Sequence, residues 1–239
     1  MDVRTDNTPL VDLKAFDFID FGCSAGGSID WARRRFGGRR GLGVDINPDK
    51  VAAARAAGFE AVVADGARLD QFTGKVRFAT MIHFLEHLPS IEAARKVVGT
   101  ALSISRDFLY VRQPWFDSDG ALMRQGLKLY WSHWRGHPLP MTSLQAYALF
   151  EDLRKTGRCA RFAIYGRTPI VSSDDPAVLP LSAPSDSHQY EPERDGPKPT
   201  VPLDGVFTEL VVVATPRRAD TIDEGVAGDR LALIHDSAA

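Results

Sequence analysis

Apolar positions in the first half of the chain alternate between short continuous runs and helically spaced sets. Phe16 to Phe21 is a β-rich run that stops at a glycine cluster. From Ser28 to Phe36, Ile29, Ala32 and Phe36 fall on one helical face, and Gly37-Gly38 ends the segment. Gly41 to Ile46 reads as a second strand. Asn47 then supplies an N-cap and Pro48 a first-turn proline for a helix through Ala57, with Gly58 placed as its terminating glycine. Phe59 to Ala64 and Val76 to Ile82 read as the third and fourth strands, Ser90 to Leu102 as a helix, and Phe108 to Val111 as the core of a fifth strand. Strands that alternate with helices in this way predict a parallel sheet covered on both faces.

The pattern changes after Gln113. Residues 114–141 carry aromatic residues, glycine and histidine with no clear period, and read as an insertion. Thr142 to Lys155 resumes as a helix, with Thr142 and Gln145 spaced as a capping box. Arg161 to Ile170 and Val206 to Thr215 read as two further strands. Between them, Pro176 to Pro202 holds seven of the fifteen prolines, so a segment of about 172–203 is expected to be a long mobile excursion without a core. Residues 1–216 are expected to form a single domain. The tail 217–239 shows one weak helical stretch.

A hydrophobic content of 44% and a charged content of 25% fit a globular chain with a real core. The net charge of -2 speaks against a nucleic-acid partner, whose phosphates require clustered cations. Arg33, Arg34, Arg35, Arg39 and Arg40 flank a helix end, where cations meet the negative pole of the helix dipole. Two cysteines, Cys23 and Cys159, imply no disulfide framework and hence a reducing compartment. No signal peptide is visible, and no apolar run approaches the ~20 residues that cross a bilayer, so a cytoplasmic protein without membrane insertion is expected.

The chemistry concentrates between Asp20 and Asp65. Residues 18–28, FIDFGCSAGGS, set Gly22, Gly26 and Gly27 at a strand-to-helix junction, where the backbone turns sharply and approaches a ligand closely. Three acids accompany them. Asp20 precedes Gly22, Asp45 closes the second strand where a carboxylate can accept from a ribose diol, and Asp65 closes the third where it can accept from a base amine. A nicotinamide-dependent oxidoreductase is the rival reading, but its G-x-G-x-x-G spacing is broken by Ser24, and Asp20 and Asp65 have no standard task there.

Phe18 to Leu69 resembles the cofactor half of the class I S-adenosylmethionine-dependent methyltransferases, whose first loop follows a D-x-G-x-G-x-G pattern. Asp20, Gly22 and Gly26 match it, and Ser24 replaces the middle glycine. FATMIHFLEHL (78–88) is similar to the fourth-strand segment of the small-molecule branch, although Ala79 stands where an acid is often found. The resemblance implies a Rossmann-like, doubly wound α/β fold in three layers, with a mostly parallel seven-stranded sheet whose last strand is antiparallel. It further implies S-adenosylmethionine as cofactor and S-adenosylhomocysteine as product. Asp20, Gly22, Cys23, Ser24, Gly26, Asp45, Ile46, Asp65, Gly66 and His83 would form the cofactor site, with Asp45 on the ribose and Asp65 on the adenine amine. A module that binds this cofactor without methylating is the alternative within the fold.

A sulfonium methyl is already electrophilic, so alignment of a nucleophile and exclusion of water are the main demands. His83 ends the fourth strand and either serves as a catalytic base or packs beside the cofactor. Glu86 and His87 are expected to brace the loop. Residues 83–87 spell H-x-x-E-H, an inverted zinc-peptidase motif. Pro89 and the preceding strand deny it the long helix it needs. His133 and His137 are four residues apart but show no third ligand in sequence, so no metal is expected. The acceptor, expected to be a small molecule such as a sugar or another hydroxylated metabolite, is assigned to Arg112, Trp115, His133 and His137. Trp131 and Trp134 are expected to fill the insertion's own small core.

Overall fold

Each strand expected from the pattern forms, and the computed structural model, which describes residues 10–217 and 231–238, sets them in one sheet. The strands are β1 (Phe18–Phe21), β2 (Gly41–Asp45), β3 (Ala61–Val63), β4 (Val76–Ile82), β5 (Ser105–Pro114), β6 (Arg161–Pro169), β7 (Phe207–Thr215) and β8 (Leu231–Asp236). Their order is β3-β2-β1-β4-β5-β7-β6-β8. The first five pair in parallel, and β7 runs antiparallel between β5 and β6. The chain winds one way from β1 to β3 and the other way from β4, which puts the topological switch point between β1 and β4. Ligand crevices of open α/β sheets lie there, outside the carboxyl ends of the strands.

β8 is an addition to the seven expected strands and pairs antiparallel with β6. Within the tail, where one weak helical stretch was expected, residues 231–236 form this edge strand. His235 lies against Tyr147 and Phe162, while Leu233 and Ile234 stay exposed. Residues 218–230 lie outside the described residues.

The helices α1 (Gly27–Phe36), α2 (Pro48–Ala56), α3 (Ile91–Ile104) and α4 (Ser143–Lys155) cover the sheet. Asn47 caps α2 by accepting from the backbone N of Asp49 at 2.9 Å, and the Thr142–Gln145 box caps α4 in both directions. Strand alternation sends one set of side chains to each face. Phe18, Phe78 and Phe108, neighbours on β1, β4 and β5, stack ring on ring at 4.9 and 5.0 Å beneath α1. Ile19, Ala79 and Leu109 point the other way, into the core shared with α3 and α4.

The proline-rich excursion departs from expectation. Val178–Pro180 pairs antiparallel with Leu127–Leu129 of the insertion, and Val178 and Leu179 are fully buried. Backbone polar groups that a core would lack are supplied by side chains instead. Ser173 Oγ donates to Pro199 O and accepts from Val201 N, Lys198 Nζ donates to the carbonyls of Asp175 and Val178, and Lys128 donates to Ala183 O. Asp195 accepts from Ser187 Oγ and Glu191 N at 2.8 Å each and is paired with Arg194. Composition suggested that nothing here could pack; the excursion packs on another irregular segment, which composition does not reveal.

Candidate functional site

The loop after β1 is held from below. Asp20 is fully buried and accepts from Ser28 Oγ at 2.5 Å and Thr80 Oγ1 at 2.6 Å, so one carboxylate ties β1, α1 and β4 together. Burial raises its pKa to about 6 against the lowering effect of both hydroxyls. Gly22 and Gly26 have φ of 73° and 94°, and a Cβ at either would lie 2.2 Å from the ring of Phe84 or Phe59. Ser24, in place of the expected glycine, is also left-handed, with φ of 47°. Its backbone N donates to Asp45 Oδ2 at 3.1 Å, while Asn47 N donates to Oδ1 at 2.9 Å.

These elements wall a cavity of about 760 Å³. Gly22, Cys23, Ser24, Asp45, Ile46 and His83 line it, joined by Ala25, Gly27, Ser28 and Lys50. Asp20 and Gly26 stand behind this lining and shape it. Asp65 and Gly66 are not among its lining residues, and Asp65 Oδ1 accepts from Ala67 N at 2.9 Å. Cys23 is a buried thiol pushed up to about 12, first by burial and then by Asp20 and Asp45.

A second cavity of about 620 Å³ opens beside the first. Its walls come from the turn after β4, from the insertion (Tyr130, Trp131, Trp134, His137), from the excursion (Ala177, His188), and from Arg167, Thr208 and Glu209. His83 and His87 line both cavities. Of the four residues assigned to the acceptor from sequence, only His137 lines this space. Arg112 stands behind it, with its guanidinium 4.5 Å over the Trp31 ring. Trp115 is buried against Phe207, and its carbonyl accepts from Trp131 Nε1 at 2.7 Å. His133 is exposed and lines neither cavity. Trp131 is buried and Trp134 half-buried, and both line the cavity.

Glu209 is the charged centre that the sequence reading missed. Its carboxylate pairs with His83 Nε2 at 2.9 Å, with Arg112 Nε at 3.2 Å and with Arg167. Burial alone would raise its pKa, but the hydrogen bond with His83 and the charges of Arg112, His83 and Arg167 outweigh it and bring it to about 2. Burial would likewise lower His83, and the carboxylates of Glu209 and Glu86 reverse that, to about 9. The signal available in sequence was an acid near the start of an apolar strand. Because β7 is antiparallel, its first residues lie at the carboxyl ends of the parallel strands, where sites form.

Residues 19–102 match the methyltransferase domain family. The fold superposes on an S-adenosylmethionine-dependent methyltransferase from Archaeoglobus fulgidus with a TM-score of 0.54 and 16% identity, over 87% of this chain and 86% of that one. For the YcgJ protein of Bacillus subtilis the TM-score is 0.54 and the identity 14%, over 84% of this chain and 92% of that one. No curated protein matches the sequence.

Proposed function

We propose that the chain is a class I S-adenosylmethionine-dependent methyltransferase, on the match of residues 19–102 to the methyltransferase domain family, and that it methylates a small hydroxylated molecule held in the second cavity. The observation that carries this reading is the contact between the two cavities at His83 and His87. The cofactor supplies an electrophilic methyl group when bound. The first cavity suits it: small residues and backbone line the loop, and each oxygen of Asp45 serves only one backbone N–H, which leaves acceptor capacity for a ribose diol. Asp65 is proposed for the adenine amine, through the oxygen that does not serve Ala67.

The protein's own part is placement. Tyr130, Trp131 and Trp134 offer flat apolar walls, and Arg167, His188 and Glu209 offer polar groups among them, a combination that suits a sugar or a similar polyhydroxylated ring. His83 is proposed as a fixed wall of the methyl site and not as a base. Nε2 is committed to Glu209 at 2.9 Å and Nδ1 faces Glu86 at 3.3 Å, so neither nitrogen is turned to an acceptor proton. The buried, unpaired thiols suit a reducing compartment, and no helix among the described residues is long and apolar enough to cross a membrane.

Release of labelled methyl to a panel of sugars and hydroxylated metabolites tests the reading. Glu209→Gln should lower kcat/KM for the accepted compound about 10- to 100-fold, the worth of a charged hydrogen bond. Affinity for S-adenosylhomocysteine should stay within about twofold, since Glu209 lines only the second cavity. Binding of the cofactor without turnover of any small molecule would leave a binding module instead.

A further inference from the structure

Three side chains on the wall of the second cavity converge on one point. Glu86 is fully buried; its Oε1 lies 3.3 Å from His83 Nδ1, and neither carboxylate oxygen makes a hydrogen bond of good geometry. His87 follows it in the same short turn. His137 comes from the insertion, fifty residues on in sequence. Each of the three offers one ligand atom, and those atoms lie within 4.8 Å of one another.

The docking that brings them together also prepares the imidazoles. Leu139 N donates to Glu86 O at 3.1 Å, which fastens the insertion to the turn. His87 Nδ1 is 2.6 Å from Gly136 O, and His137 Nδ1 is 3.1 Å from Trp131 O. A carbonyl can only accept, so both rings carry the proton on Nδ1 when neutral and present the Nε2 lone pair. Histidines that ligate metals are held by this arrangement, with the other ring nitrogen donating to a carbonyl or carboxylate. Trp134 packs edge-on against both rings, at 5.9 Å from His87 and 4.6 Å from His137.

We propose that Glu86, His87 and His137 form a site for one divalent first-row transition cation, facing the acceptor cavity. Two imidazoles and one carboxylate favour such an ion over magnesium or calcium, which prefer all-oxygen sets. Three protein ligands leave coordination positions open to the cavity. The long helix of the zinc-peptidase motif is not needed, because the third ligand arrives from the insertion and not from a helix downstream. The role of the ion rests on the methyl-transfer reading: an acceptor hydroxyl coordinated there releases its proton to solvent, so no side chain has to take it. The site itself does not depend on that role.

The test is titration of untagged, chelator-stripped full-length protein with cobalt(II) chloride, followed by its visible absorption and by displacement with zinc chloride. One Co²⁺ per chain is expected, displaced by Zn²⁺. His137→Ala should weaken binding by more than the roughly 10–100-fold that loss of an outer-shell partner costs, and His133→Ala should leave it unchanged. Should His137→Ala not fold, Glu86→Gln is expected to show the same loss. Absence of stoichiometric binding at millimolar cobalt, or wild-type affinity in the folded ligand variant, overturns the site. S-adenosylhomocysteine titrated into the same samples separates the two claims. Its binding without cobalt binding removes the metal site alone, and cobalt binding without it removes the methyl-transfer reading alone.

Discussion

Asp20 shows how one residue can be identified for one reason and matter for another. It is legible in sequence as the acid before the glycine loop, yet it does not line the cavity; it holds Ser28 and Thr80 from behind. Because burial raises its pKa to about 6, the folded state holds a proton between about pH 4 and 6 that the unfolded chain has released. Its contribution is therefore fully present below the unfolded value and lost as pH rises through about 6. Asp20→Asn should remove that slope. Urea denaturation of both proteins from pH 4 to 7 should show the variant gaining on the parent by on the order of 1–3 kcal/mol as pH rises; a constant difference would contradict the assignment. Ser24 was legible only as a missing glycine. Its left-handed φ explains why the family pattern prefers glycine there, and its contact with Asp45 runs through the backbone, so the side chain can vary.

Among the elements, periodicity located the four covering helices and the first seven strands to within a few residues, and missed β8, because caps and stops are local. Asn47-Pro48, Ser90 and the Thr142–Gln145 box act over three residues. The same logic fails for residues 172–203, whose partners lie in the equally irregular insertion. Leu127–Leu129 and Val178–Pro180 are strands only because each supplies the other's hydrogen bonds. Val178→Asp would bury a charge between them, which is costly without a partner. The expected result is rapid proteolytic cleavage within residues 172–203, loss of acceptor turnover, and S-adenosylhomocysteine affinity within about threefold of the parent. Resistance to cleavage equal to that of the parent would show that this pairing does not hold the excursion down.

At the scale of the molecule, the two halves of the site differ in how far sequence reveals them. Most of the first cavity's lining comes from one stretch, Gly22 to Lys50, where spacing brings the residues together, and the turn after β4 closes it with His83 and His87. The acceptor half is assembled from five separated segments, among them the antiparallel β7 that carries Glu209 and the excursion that carries His188. Of its residues, His137 was legible as part of an aromatic and histidine-rich run. Arg112, Trp115 and His133 shared that signal but were sorted apart by packing, behind the wall, into the core and out to solvent.

Asp45, at the end of β2, is proposed to anchor S-adenosylmethionine in the first cavity. Calorimetric titration of the protein and of Asp45→Ala with S-adenosylhomocysteine and with NAD tests it directly. One S-adenosylhomocysteine per chain is expected, with no response to NAD and at least about 100-fold weaker binding in the variant, the loss of two charged hydrogen bonds. Binding of NAD with none of S-adenosylhomocysteine at millimolar concentration, or undiminished affinity in a folded Asp45→Ala protein, would contradict it.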